Sequence, residues 1–182
     1  RSPLHLNYID QVIGKREGAH CYAAMNALML PGRAVFIVDT HVNYDPSAEQ
    51  LAEIAATGDR VLVLEDTVEL QCVARDHVPL RTRAGVVSMT ELVRSSMRLR
   101  PDRVVVGEVR DGAALEVLKA WNTGHPGGLL TLHANSAADA LMRLEDLCME
   151  ARATPPKRLI ASAVDIIVFI ARREGGRVIT EI

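Results

Sequence analysis

The chain has 182 residues, of which 48% are hydrophobic and only 3% aromatic, and its formal net charge is −2. This length and composition suit one globular domain with an aliphatic core, and they exclude a largely disordered chain. Acidic and basic residues nearly balance, which argues against a chain-wide basic surface. No direct contact with nucleic acid is therefore predicted.

The cysteines and the apolar segments indicate where the protein resides. Cys21, Cys72 and Cys148 are far apart in the sequence, which favours free thiols over a metal site. The apolar runs, such as residues 164–171, are too short to span a bilayer, so no transmembrane segment is predicted. The start of the chain has no signal-peptide pattern. We therefore expect a cytoplasmic protein that meets a membrane only through partners.

Short apolar runs alternate with helical patterns from residue 34 onward. This alternation predicts an α/β fold with three layers and a mostly parallel sheet. Runs that are continuously apolar predict strands covered on both faces. The expected strands are residues 34–38, 61–64, 104–106, 129–132 and 166–170, and a hairpin turn is expected at residues 174–176.

Helices are expected between the strands, where capping residues precede apolar side chains at helical spacing. The first ends at Gly58, a residue type common just after a helix. Pro155 and Pro156 break the chain before a short last helix. The residues predicted to begin the other helices are Pro46, Ser88 in a capping box with Glu91, Asp111, and Ser136. Residues 23–30 are a further, less regular candidate.

Acidic residues follow two of the apolar runs. Glu65, Asp66 and Glu69 come after residues 61–64, and Glu108 ends the segment RVVVGE. Carboxyl ends of parallel strands meet at one edge of a sheet, where α/β proteins bind ligands. Four apolar positions before an acid describe a Walker B strand, whose carboxylate orders Mg²⁺ or its water shell. Taken singly, such an acid is more often a helix cap.

Two histidines accompany these acids. His125 lies in the Gly-rich segment 123–128, and His133 follows the run 129–132. A lone histidine is usually a polar contact, and a Gly-rich loop is usually a turn. The order of all these segments along the chain is more informative than any one of them.

Residues 64–70 (LEDTVEL), 99–110 (LRPDRVVVGEVR) and 122–136 (NTGHPGGLLTLHANS) strongly resemble the secretion-superfamily ATPases. The resemblance is closest to the conjugal-transfer ATPases of type IV systems, and it runs nearly continuously from about residue 51 to 182. It implies a RecA-like core, ATP and Mg²⁺ as cofactors, and partners in secretion or conjugation machinery peripheral to the inner membrane. The implied activity is ATP hydrolysis that powers transfer of DNA or protein.

The same resemblance implies roles for individual residues. Glu65 matches the Asp-box glutamate that activates the attacking water, and Glu108 matches the Walker B acid that holds Mg²⁺ through water. His133 matches the His-box residue that senses the γ-phosphate. The candidates for nucleotide contacts are Asp66, Glu69, Arg81, Arg83, Arg110 and His125, with Arg94 as a further candidate for a phosphate or inter-subunit contact. For Arg81 and Arg83 a solvated loop is an equal alternative.

The phosphate-binding loop that this chemistry needs is not recognisable. Its GxxxxGK[ST] pattern is expected directly before the helix that ends near Gly58. Residues 38–50 (VDTHVNYDPSAEQ) contain neither glycine nor lysine, and they include Asp39, Asp45 and Glu49. Negative side chains at a helix N-terminus occupy the place that a phosphate takes. An ATPase remnant that lacks Walker A, and is therefore inactive, is the expected function.

Residues 1–56 resemble a different family. The segments YIDQVIG, AMNALML, FIVDTHVN and PSAEQLAEIA are similar to the phosphotransacetylase-type domain of bacterial malic enzymes. We interpret the chain as a chimera in which residues 1–56 supply the first strand and helix, and residues 57–182 supply the secretion ATPase core of one domain. A divergent natural ATPase is the alternative origin. A non-catalytic scaffold and a phosphate acyltransferase fragment are the alternative functions, and self-association is left open.

Overall fold

The computed structural model describes residues 35–39, 57–68, 70, 72–125, 127–174 and 176–182. Seven strands in these ranges form one sheet, and every neighbouring pair is parallel except the last pair, which is an antiparallel hairpin. The strands are β1 Val35–Asp39, β2 Val61–Glu65, β3 His77–Arg81, β4 Arg103–Val106, β5 Leu129–His133, β6 Ile166–Arg173 and β7 Gly176–Glu181. Their order across the sheet is β3-β2-β4-β5-β1-β6-β7.

The predicted α/β class and mostly parallel sheet are confirmed. All five predicted strands are present, with ends that differ by up to three residues, and β6 pairs with β7 as the predicted hairpin. β3 was not predicted from the sequence. This strand reads HVPLR, and its first, third and fifth side chains are exposed. It has no apolar run, and its central proline lacks the N–H that a strand between two neighbours needs.

Four α-helices are described, and capping residues begin two of them as predicted. They are α1 Met89–Ser96, α2 Ala113–Asn122, α3 Ala137–Met149 and α4 Lys157–Ala163. Ser88 and Glu91 form the expected capping box, and Ser136 Oγ accepts a hydrogen bond from Asp139 N at 2.9 Å. Asp111 lies one residue farther out than predicted: Gly112 is the N-cap, while Asp111 Oδ1 accepts from Ala113 N at 2.8 Å.

Buried side chains pack on both faces of the sheet. All four helices share one core with strand residues such as Val104 and Val106. The intervening Val105 packs in a second core with Val63 and Leu129, because successive side chains of a strand point to opposite faces. The helices predicted at residues 46–58 and 23–30 lie outside the described residues, apart from the end at Gly58. Gly58 itself has a positive φ of 75°.

Two smaller predictions concern cysteines and membranes. Cys72 and Cys148 carry free thiols, as expected, while Cys21 lies outside the described residues. Among the helices that the structure describes, each is too short or too polar to cross a lipid bilayer.

Candidate functional site

Three neighbouring strands bring the predicted catalytic residues to one edge of the sheet. β2, β4 and β5 are adjacent and parallel, so their carboxyl ends lie side by side. Glu65 is the last residue of β2, Glu108 comes two residues after β4, and His133 is the last residue of β5. The strand order alone therefore groups these three side chains, although they are far apart in the sequence.

Glu65 is a buried carboxylate, only 2% exposed. Its Oε1 accepts a hydrogen bond from the backbone N–H of Leu70 at 2.7 Å, which holds the side chain in place. Gly107 allows its close approach to the next strand, because a Cβ added to Gly107 would lie 3.3 Å from Glu65 Cγ. Glu65 thus packs directly against the peptide that precedes Glu108.

Glu108 is the centre of the polar contacts at this edge. His133 Nε2 lies 3.1 Å from Glu108 Oε1, and Arg110 donates a hydrogen bond to Glu108 Oε2 at 2.5 Å. The Glu108 side chain is only 17% exposed, while those of His133 and Arg110 are 44% and 68% exposed. A mostly buried carboxylate therefore lies beneath two more accessible groups that can carry positive charge.

A cleft of about 480 Å³ opens beside Glu108. Asp66 and Arg110 line it, and Arg83 begins the tight turn that forms another part of the wall. Asp66 Oδ1 accepts a hydrogen bond from the hydroxyl of Thr82 at 2.6 Å, which links the end of β2 to that turn. The cleft has room for a group of the size of a few phosphates, and both charge signs line it.

The other predicted nucleotide-binding residues are distributed unevenly. Arg81 is exposed at the end of β3, in register with Glu65, so it lies at the same edge. His125 lies at the opposite edge, where its Nδ1 is 2.8 Å from the carbonyl oxygen of Pro101, two residues before β4. The structure does not bring His125 to the Glu108 site within this chain. Glu69 lies outside the described residues.

Arg94 also has a structural partner. Its guanidinium donates to Glu116 at 3.3 Å, and this hydrogen bond is the main reason why the pKa of Glu116 is lowered. The same contact raises the pKa of Arg94. Arg94 therefore connects α1 to α2, and its predicted phosphate or inter-subunit role stays a prediction.

The opposite edge of the sheet contains a buried arginine that the sequence analysis did not select. Arg103, the first residue of β4, is 3% exposed. Its Nε donates to Asp59 at 2.5 Å and its Nη1 to the carbonyl oxygen of Gly127 at 3.1 Å. Burial raises the pKa of Asp59, but hydrogen bonds from Thr57 and Arg103, with the charge of Arg103, lower it overall. Because arginine is usually exposed, the residue type of Arg103 did not indicate that it would be buried and paired.

Chemically, Glu108 offers carboxylate oxygens to a hydrated divalent cation at the cleft. Magnesium prefers carboxylate oxygens and keeps several waters, so one or two carboxylates suffice to hold it. Groups of three or more His, Cys, Asp or Glu side chains that could hold a metal do not occur within the described residues. Glu108, which faces the cleft, fits such an outer-shell role.

Comparison with known proteins identifies a matching protein family and similar proteins. The family model described as type II/IV secretion system protein matches residues 47–173. The conjugal transfer protein TrbB of Rhizobium radiobacter is 54% identical over 134 residues, which cover 72% of this chain and 41% of that protein. The Mycobacterium tuberculosis protein Rv3659c is 34% identical over 166 residues, covering 85% of this chain and 47% of that protein.

A solved structure supports the fold. The VirB11 ATPase of the Brucella suis type IV secretion system superposes with a TM-score of 0.71 at 23% identity, covering 87% of this chain and 50% of that one. At this identity the likeness shows the fold alone, and it confirms the predicted RecA-like arrangement of secretion ATPases. The chain spans less than half the length of the two curated relatives.

Proposed function

Because this chain belongs to the type II/IV secretion system protein family, we propose that residues 57–182 are a remnant of the nucleotide-hydrolysis core of a conjugation or type IV secretion ATPase. The observation that carries the proposal is the 3.1 Å contact between Glu108 and His133, beside the buried Glu65. These are the residues that the motifs nominate, and they lie at or just after the ends of three separate strands.

In this proposal each group acts through its position at the sheet edge. Glu65 would accept the proton of an attacking water, and the Leu70 N–H keeps its carboxylate oriented. Glu108 would hold the water shell of a Mg²⁺ ion, and that ion would supply charge neutralisation on the phosphates. His133 and Arg110 lie against Glu108, so they would be available to contact the phosphate oxygens of a bound nucleotide.

We propose further that the chain does not hydrolyse ATP at a useful rate. Phosphoryl transfer needs backbone N–H groups and a lysine around the phosphates, and residues 38–50 offer no lysine and no glycine. Asp39, the last residue of β1, is in register with His133, so the described start of this segment lies beside the candidate site. The remainder of the segment lies outside the described residues.

Calorimetry with ATP and Mg²⁺, followed by phosphate release from the same sample, tests the proposed inactivity, and any turnover allows the residue roles to be tested as well. We expect no heat at millimolar ATP and no release above the buffer rate. Binding with turnover that Glu108→Gln abolishes would overturn the proposed inactivity and keep the proposed roles. Turnover that Glu108→Gln leaves unchanged would overturn the roles. Glu145→Gln, the same substitution at a carboxylate that pairs with Lys157 away from the Glu108 cluster, is the matched control.

A non-catalytic scaffold is the second candidate, and the composition of residues 38–50 favours it. In that case the motif residues are inherited and bind nothing tightly.

The two-family origin of the chain stays a prediction. One observation weighs against a sharp junction near residue 56. Residues 47–182 make up only about three quarters of the chain. The alignment to Rv3659c covers 85% of the chain, so it must also include residues before residue 47. The secretion partners, self-association and cytoplasmic location also stay predictions.

A further inference from the structure

Thr131, in the middle of β5, continues the pairing of β4 and β5 beyond the end of the strand ladder. The ladder pairs Val105 with Leu129 and Val106 with Leu130, and it stops there. Thr131 makes the next contacts with both its side chain and its backbone. Its hydroxyl donates to the carbonyl oxygen of Gly107, and its own carbonyl oxygen accepts from Val109 N at 3.1 Å.

These two hydrogen bonds lie on either side of Glu108. Gly107 precedes Glu108 and Val109 follows it, so both neighbouring residues are tied to the same residue of β5. Gly107 is held from the other side as well, because its N–H donates to the carbonyl oxygen of Leu64 at 2.9 Å. The backbone that carries Glu108 is therefore fixed between β2 and β5, although it lies outside both ladders.

The side chain of Glu108 depends on this backbone. Its Oε1 reaches His133, which is two residues after Thr131 on the same strand. A small rotation of the peptide before Glu108 would move its carboxylate relative to His133 Nε2, because a side chain moves with its Cα–Cβ bond. A hydroxyl at position 131 opposes that rotation by keeping the Gly107 carbonyl oxygen turned toward β5.

We propose that Thr131 is a positioning residue that sets the Glu108 carboxylate against His133 and beside Glu65. Its hydroxyl touches neither nucleotide nor metal in this assignment, and it acts through the Gly107 peptide. The importance of Thr131 for activity rests on the proposed ATPase function. The geometric claim concerns the protein without nucleotide, so it can be tested whether or not the chain binds ATP.

The test is the ¹⁵N chemical shift of His133 Nε2, measured at one fixed pH without nucleotide. The change in this chemical shift caused by Glu108→Gln, which replaces the carboxylate partner, is the reference displacement. We expect Thr131→Val, which keeps the shape and removes the donor, to produce at least half of that displacement. Thr131→Ser, which keeps a hydroxyl at this position, should leave the signal within about a quarter of that displacement from its wild-type position. If Thr131→Val fails to fold, the smaller Thr131→Ala carries the same expectation.

The matched control is Ser96→Ala. Ser96 is fully buried and its hydroxyl donates to the carbonyl oxygen of Val93 at 2.7 Å, so this variant loses the same kind of bond elsewhere in the core. It should lower the melting temperature without moving the His133 signal. A His133 shift in Thr131→Val no larger than in Ser96→Ala would overturn the proposal. Failure of Thr131→Ser to restore the signal would overturn it too. ATP calorimetry on the wild type judges the proposed function separately.

Discussion

Arg103 Nε donates a hydrogen bond of 2.5 Å to Asp59 Oδ2 at the edge of the sheet opposite Glu108. Arg103 begins β4, Asp59 lies two residues before β2, and Gly127, the second partner of Arg103, lies two residues before β5. One buried side chain therefore joins the amino-terminal ends of the same three strands whose carboxyl-terminal ends carry the candidate site. Loss of this pair is expected to be costly, because it leaves a buried charge without its partner.

Asp59→Asn should lower the free energy of unfolding at pH 7 by about 2 kcal/mol, less than for a fully buried pair because the Asp59 side chain is 30% exposed. The pH dependence has a definite sign. The folded-state pKa of Asp59 is lowered from 3.8, so its contribution is complete above that value and is lost as the pH falls through the folded-state pKa.

Urea unfolding of wild type and Asp59→Asn across pH measures this effect. The difference in stability between the two proteins should be constant from neutral pH to about pH 5 and should shrink in more acidic solution. Asp76→Asn is the control, because Asp76 pairs with Arg60 at the surface and should cost about 0.5 kcal/mol or less. A difference that grows on acidification would contradict the assignment.

Gly128→Ala should destabilise the fold by about 3 kcal/mol or more, as expected for overpacking against atoms that cannot move away. A Cβ at Gly128 would collide with the indole of Trp121 and lie 2.6 Å from the carbonyl oxygen of Val104. The indole also donates to that oxygen at 3.2 Å, so the clash disturbs a buried hydrogen bond.

Unfolding followed by the fluorescence of Trp121, the single tryptophan of the chain, measures the stability lost in Gly128→Ala. Gly85→Ala is the control. Gly85 has a positive φ of 71° but open space around its Cα, so only backbone strain of about 1 kcal/mol is expected. Equal losses in the two variants would show that packing against Trp121 is not the cause.

The two described cysteines should differ in reactivity. Burial raises the pKa of the Cys148 thiol to about 11, and its side chain is inaccessible. At pH 8 only about one thiol in a thousand with such a pKa is ionised. Burial also raises the pKa of Cys72, but this side chain is partly exposed.

Alkylation with iodoacetamide at pH 8, followed by peptide mass spectrometry, measures both sites in one sample. Cys72 should be modified slowly in the native protein, and Cys148 only after denaturant is added. Modification of native Cys148 at the rate of Cys72 would contradict the packing of α3 against the sheet.

Ser88→Ala should cost about 1 kcal/mol, because it removes the side chain that caps α1. Ser88 Oγ accepts from Glu91 N at 3.3 Å, and Glu91 Oε2 accepts from Ser88 N at 2.8 Å. Ser95→Ala, an exposed position in the same helix, should be neutral or slightly stabilising, because alanine favours helix. Thermal unfolding of both variants gives the comparison, and a Ser95→Ala loss as large as that of Ser88→Ala would refute the capping argument.

The fold and part of the site could be anticipated from sequence because each signal is local. Glu65 and His133 end apolar runs and Glu108 closely follows one, and parallel strands bring such ends to one edge. Thr131 could not be anticipated in its proposed role. A threonine within a strand is ordinary, and its significance depends on where the ladder stops.

The same limit applies to the opposite edge of the sheet. Arginine is normally a surface residue, so nothing in the segment LRPDRVVVGEVR marks Arg103 rather than Arg100 as buried. His125 shows a second limit of sequence inference, and its nucleotide role stays a prediction. Its place in a Gly-rich motif nominated it for the nucleotide, whereas strand direction puts it at the far edge, near Pro101.

β3 has a consequence for solubility. It is the outermost described strand on its side, and an unpaired strand edge is a template on which other chains can add strands. Pro79 interrupts that edge with a residue that has no N–H to donate, and Arg81 adds a charge that resists stacking. The irregular composition that hid this strand from sequence analysis therefore also protects the sheet from growing into a fibril at this border.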